Sequence, residues 1–211
     1  MMLNRSTRRP GNCKLNRHLF GLLLLAALAT AVAAETNHFF LILDPYFYRS
    51  PLVLPVDGTR ETVFTFYRAL DDATLTPAKP QELSDRERAA VKIQTESHAR
   101  KLLEVIKPEI IRDTHGVITA LRLYSSDPTI SGILLLPEIG NHYANLLGPD
   151  CYLAVPNRRT VLFFPRLASD IQSFAPLVHS LYHNDPWPIS TEIFEIANGK
   201  LRASGRFSEE F

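Results

Sequence analysis

Cysteine is almost absent from this chain: two in 211 residues, Cys13 and Cys151. Cys13 falls in an N-terminal stretch expected to be removed, so Cys151 has no intrachain partner and no disulfide can brace the fold. No activating neighbour lies beside Cys151, which is therefore expected to be a small core residue rather than a nucleophile. Glycine-rich phosphate loops are missing, and so is the Gly-x-Ser-x-Gly elbow of the α/β-hydrolases. Apolar runs of the roughly 20 residues that a membrane-spanning helix needs are also missing. The longest, Leu19 to Ala34, has 16 residues.

That short run is nonetheless informative. A basic leader (Arg5, Arg8, Arg9, Lys14, Arg17) precedes it, and the small residues Ala31-Val32-Ala33-Ala34 close it. A positive segment, a short apolar segment and an A-x-A-like end form the pattern of a secretory signal peptide. Residues 1–34 are expected to be this leader, cut after Ala33 or Ala34, with an uncleaved N-terminal anchor as the alternative. Pro10-Gly11-Asn12 after Arg8-Arg9 argues for the ordinary route over the twin-arginine one. The expected location is the periplasm or the extracellular space.

Removing the leader leaves about 177 residues, with 18 basic against 22 acidic and a net charge near −4. That length suits a single domain, 35–207, with a substantial core, and 208–211 reads as a loose tail. A mildly acidic chain without clustered Lys or Arg excludes nucleic acid as a natural partner.

The remaining pattern is α+β: antiparallel hairpins packed with about three amphipathic helices. Phe39–Leu43 is apolar and stops at Asp44-Pro45. Pro51 and Pro55 then interrupt the chain, which predicts an edge strand or an extended aromatic arm over the core. Thr62–Tyr67 suits a strand. Ser84-Asp85-Arg86-Glu87 has capping-box form and opens a helix over 84–107, stopped by Pro108. Its apolar face is read as Val91, His98, Leu102, Val105 and Ile106. Ile110–Arg112 and Val117–Tyr124 flank a turn at Asp113–Gly116, predicting a hairpin. Ile139, Tyr143 and Leu146 predict a helix closed by Gly148. Cys151–Val155 and Val161–Phe164 predict a second hairpin. A further helix reaches His183, starting near Asp170 or Ser173 depending on Pro176. Asn198-Gly199 predicts a final hairpin between Ile193–Ala197 and Lys200–Ala203.

Three groups of residues are candidates for chemistry. Asn157-Arg158-Arg159 is a hairpin turn carrying two guanidinium groups, suited to carboxylate or phosphate capture. The competing reading is a solvated turn, or a structural Arg158 paired with Glu138, Asp150 or Glu192. His142 lies at the edge of an apolar helix face, as a semi-buried histidine or as part of a ligand site. His179 and His183 are four apart, on one helix face, with Asp185 two residues beyond. Such a pair can bind zinc given a third ligand. The metalloprotease pattern, however, wants Glu where this chain has Ser180, and two surface histidines are the simpler reading.

From Gly132 to Leu201 the order of elements resembles the C-terminal half of the YtpQ-like family of uncharacterised bacterial proteins. The matching residues are Leu134–Pro137, Ala154-Val155-Pro156-Asn157-Arg158, and Pro188-Ile189-Ser190 with Phe194. The resemblance covers about 70 residues, 132–201. Arg159 stands where that family has Asp, and the family looks cytosolic whereas this chain carries a leader. With no established activity in the family, the resemblance implies a fold and not a reaction.

The expected function is therefore a non-catalytic domain of the cell envelope that binds a small ligand or another envelope protein. No cofactor is expected, and no membrane span once the leader is gone. The alternative is a metal-dependent or other hydrolase using the histidines and nearby carboxylates. An assembly factor of the envelope is a third reading.

Overall fold

Two antiparallel sheets organise the chain, with residues 39–46, 50–59, 61–70, 74–148, 150–167, 170–197 and 200–208 described in a computed structural model. The leader 1–34, the Asn198-Gly199 turn and residues 209–211 of the tail lie outside the described residues. Residues 36–211 group as one compact unit.

The first sheet is built on β3 (Thr62–Ala69). On one side it pairs with β1 (Phe39–Pro45), with Leu41 opposite Phe66 and Asp44 opposite Val63. On the other it pairs with two short strands in succession, β2 (Val53–Pro55) and β4 (Leu75–Pro77). The second sheet has the order β10-β9-β7-β8-β6-β5. Its strands are β5 (Glu109–Arg112), β6 (Ile118–Tyr124), β7 (Cys151–Asn157), β8 (Thr160–Pro165), β9 (Glu192–Ala197) and β10 (Lys200–Arg206). All three expected hairpins are present as antiparallel pairs. The fold is α+β.

Period-two patterning accounts for how the second sheet is covered. Cys151, Leu153 and Val155 of β7, with Val161 and Phe163 of β8, face one core. Ala154, Leu162 and Phe164 face a second core on the opposite side, under Ala175, Val178 and Phe207. The first core also takes Leu41 and Leu43 of β1, Phe64 and Phe66 of β3, and the inner face of the long helix. Each buried Leu, Val or Phe side chain among these contributes about 1.5–3 kcal/mol relative to exposure.

The long helix, α1 (Asp85–Val105), starts as expected: Ser84 Oγ accepts from the Glu87 N–H and the Glu87 carboxylate accepts from the Ser84 N–H. Its buried face differs from the expected one. Val91, Thr95, Ala99 and Leu103 are buried, while Val105 is 74% exposed. Small residues at the centre of that face let α1 approach β1 closely, a packing preference that a hydrophobicity count undervalues. Thr95 Oγ1 accepts the outward N–H of Leu41 at 3.1 Å and donates to Val91 O. Ser131 Oγ likewise accepts the N–H of Leu43. The free edge of β1 is thus satisfied by side-chain hydroxyls, as a buried strand edge requires. Gly132 is needed for the same approach, since a Cβ there would stand 2.8 Å from Thr95 Cγ2.

Of the two readings of the first apolar, proline-broken segment, the edge strand is the one found: β1 lies at the edge of its sheet, with Phe39, Leu41–Leu43 and Leu52 buried. Among the described aromatics of that stretch only Tyr46 is exposed. The single helix expected over Ile139–Leu147 is two one-turn helices, α2 (Ile139–His142) and α3 (Ala144–Leu147), broken at Tyr143. Gly148 closes α3 at φ +84°, a conformation that favours glycine. The Leu-rich run ahead of them is a 3-10 helix, Ile130–Leu135. The last helix, α4 (Ala175–His183), carries Pro176 in its first turn, after a 3-10 turn capped by Asp170. No helix among the described residues is long and apolar enough to cross a membrane.

Candidate functional site

The β7–β8 turn is the most elaborate polar arrangement among the described residues. Asn157 faces Thr160 across it, and a register irregularity lies between Ala154 and Asn157. Asn157 fixes the turn twice: Oδ1 accepts the Arg159 N–H, and Nδ2 donates to Leu181 O at the end of α4. Thr160 is also buried, which leaves Arg159 as the exposed member of the turn.

Arg158 turns inward. Its Nη2 donates to Asp44 Oδ1 at 2.9 Å and to the Tyr67 hydroxyl, while the Tyr67 hydroxyl donates to Asp44 Oδ2. Asp44 is 1% exposed and Arg158 8%. The guanidinium also lies over two rings, 4.7 Å from the Tyr67 centroid and 4.9 Å from that of Trp187. The partner is neither Glu138, Asp150 nor Glu192, as the sequence suggested, but a carboxylate 114 residues away. Glu138 is taken by Arg100, and Asp150 stands opposite Arg166 at the surface. Glu192 is buried among the hydroxyls of Thr59, Thr62 and Ser190.

Burial pushes the Asp44 carboxyl above its usual range, opposed by the Arg158 charge and by hydrogen bonds from Tyr67, Arg158 and Thr65. Burial and the Asp44 charge push the Tyr67 phenol up, so it stays protonated and donates. On Arg158, burial disfavours the cation, but Asp44 and Tyr67 outweigh it and raise its pKa. The arrangement is a charge-paired, hydrogen-bonded anchor between the two sheets. It offers no nucleophile and no general base in reach of solvent.

Trp187 is the outer layer of the same stack. It is 49% exposed, between Pro186 and Pro188. Its N–H goes to Asp185 Oδ1 and its C=O accepts the Arg158 N–H. Ile189 N–H and Ser190 N–H continue this pairing to Pro156 O and Val155 O. An indole with its backbone bonded on both sides and its inner face on a guanidinium is a rigid, half-open aromatic plate.

The other expected residues do not join it. His142 is exposed rather than semi-buried, edge-on to the Tyr143 ring at 4.6 Å. It follows Gly140, whose C=O meets Cys151 at the start of β7, while Arg158 lies just past the far end of that strand. The two residues thus belong to opposite ends of β7, a strand roughly 20 Å long at about 3.3 Å per residue. The His179 and His183 rings are stacked, with centroids 6.0 Å apart. His179 Nε2 meets the tail at Ser208 O, and the Asp185 carboxylate is spent on the Trp187 N–H. No group of three or more His, Cys, Asp or Glu side chains that could hold a metal occurs among the described residues. Cys151 is buried with its thiol near Gly140 O, and burial, with the Asp150 charge, pushes it up to about 11. At neutral pH it is a thiol, not a nucleophile.

Sequence reasoning missed Asp44, Tyr67 and Trp187. A charged residue ending the apolar run Phe39–Leu43 was the available signal for Asp44, and it reads equally well as a strand stop. No family model, no curated protein and no solved structure matches this chain.

Proposed function

We propose that this protein is exported and, once its leader is removed, works in the envelope or outside the cell as a non-catalytic binding domain. Its binding surface is the Trp187 plate with the adjoining Arg158-Arg159 turn. The observation that carries this reading is the placement of a half-exposed indole on a buried, charge-paired guanidinium. A large ring fixed in advance loses little side-chain entropy on binding, and Trp, Tyr and Arg are the residues on which binding energy concentrates. Leader pattern and net charge support the location and argue against nucleic acid. The resemblance of residues 132–201 to the YtpQ-like family belongs to the same proposal, and it supplies a scaffold without a reaction.

The test is quantitative capture from envelope extract on immobilised mature protein. Wild type and an Ile93→Ala control, altered on the exposed face of α1, are expected to retain the same specific component, and Trp187→Ala to lose it. Equal recovery by all three, or none by any, contradicts the assignment of this surface. Export is checked by N-terminal sequencing of the protein from the periplasm or the medium, which is expected to begin at Ala34 or Glu35.

A further inference from the structure

Building on the binding reading above, we propose that the Trp187 plate takes an acidic sugar: a pyranose ring against the open face of the indole, with its carboxylate on the exposed Arg159. Three observations converge on this chemistry. The first is the shape of the plate. One face of Trp187 rests on Arg158 while the residue remains 49% exposed, so a flat apolar face is open to a second ring. The C–H face of a pyranose stacks on indole in this way.

The second is unspent cationic donor capacity. Arg158 uses only Nη2 toward Asp44 and Tyr67. Its Nε and Nη1 make no hydrogen bond among the described residues, and the Arg158 side chain keeps only 9% of its surface exposed. Arg159 is exposed and makes no ion pair among the described residues, although its backbone is held at both ends by Asn157 Oδ1 and the Ser125 N–H. The neighbouring carboxylates do not cancel this capacity outright: Asp44 is buried and paired, and Asp185 accepts the Trp187 N–H. An anionic ligand gains charge-assisted hydrogen bonds here that a neutral one does not.

The third observation disfavours a peptide. The segment 186–190 is already paired to β7 on one side, and on the other Pro186 and Pro188 carry no N–H. Strand addition, the commonest way to read a peptide backbone, is therefore closed. Recognition is left to the ring face and the guanidinium groups.

Trp187 is the chain's sole tryptophan, so its fluorescence reports on this surface alone. The experiment titrates mature protein at low salt with oligogalacturonate and, in parallel, with its methyl ester, which has the same rings without the charge. The acid is expected to perturb Trp187 emission saturably and to bind roughly tenfold tighter than the ester. Arg159→Gln is expected to remove most of that difference, bringing the acid's affinity close to the ester's. No saturable change with the acid, or equal affinities for acid and ester, overturns the inference. If envelope capture still depends on Trp187 in that case, the binding reading stands and only the ligand class is wrong. If capture is lost as well, both fall.

Discussion

Arg158 donates to Asp44 across 114 residues of sequence, from the turn of one sheet to the edge strand of the other. Tyr67 closes the triangle and Trp187 covers it. This relationship joins the fold to the proposed function, because the exposed indole rests on a group that is itself locked in place by a buried carboxylate.

Breaking that pair from one side leaves an unpaired charge in the interior. Asp44→Ala is expected to cost about 3–5 kcal/mol. Replacing both partners, Asp44→Leu with Arg158→Met, is expected to recover much of that loss, because the desolvation of two ions is removed with their attraction. Urea unfolding of wild type, Asp44→Leu, Arg158→Met and the double variant gives the coupling from the cycle, with Asp44→Ala measured beside them.

The approach of α1 to β1 makes a second prediction. Gly132→Ala is expected to destabilise by about 1–3 kcal/mol, because the new methyl group meets Thr95 Cγ2. In a Thr95→Ser background, which keeps the hydroxyl accepting the Leu41 N–H but removes that methyl, the same change is expected to cost clearly less. Thr95→Val, by contrast, strands the Leu41 N–H and is expected to cost about 1–3 kcal/mol. Thermal or urea unfolding separates these cases.

Asp127 supplies a pH dependence. Burial raises its carboxyl, but hydrogen bonds from His98 and Thr129 outweigh burial and hold it down at about 2. A carboxyl lowered in the folded state contributes stability that is fully present above its unfolded value near 4 and lost as pH falls toward 2. Wild type is therefore expected to lose about 1–2 kcal/mol through this group between pH 4 and pH 2. Asp127→Asn is expected to be less stable at pH 6 and to show a shallower acid limb. Parallel acid limbs in the two proteins would count against the assignment.

The histidine pair and Cys151 yield negative expectations that are equally checkable. Chelation with EDTA is expected to leave Tm unmoved, since no third ligand faces His179 and His183 among the described residues. Alkylation of Cys151 in the folded protein at pH 8 is expected to be far slower than in urea, because the thiol is buried and its pKa is pushed up to about 11. A Tm shift in the first case, or fast labelling in the second, would reopen the enzymatic alternative.

Local signals in the sequence were legible wherever the responsible groups are adjacent in the chain. The Ser84 capping box, the Gly116 and Gly148 positions and the three hairpins each depend on residues a few positions apart. The inward face of α1 is not legible in the same way, because Thr95 and Ala99 are buried for their small size and for one hydroxyl. A hydrophobic count records neither. The candidate site was half legible. Asn157, Arg158 and Arg159 were singled out, but their meaning depends on Asp44 and Tyr67, which arrive through sheet pairing that no local pattern specifies. Trp187 carries no signal of its own, because an isolated aromatic between prolines has no periodicity.

The most direct test of the account is the fluorescence anisotropy of Trp187 in wild type and in Asp44→Asn, under conditions where circular dichroism shows both folded. If the buried carboxylate holds Arg158 and Arg158 holds the indole, the wild-type ring reports only whole-molecule tumbling, and Asp44→Asn adds a fast local motion that lowers the anisotropy. Identical anisotropy decays in the two proteins would mean that the plate is not anchored through Arg158, and the proposed binding surface would lose its physical basis.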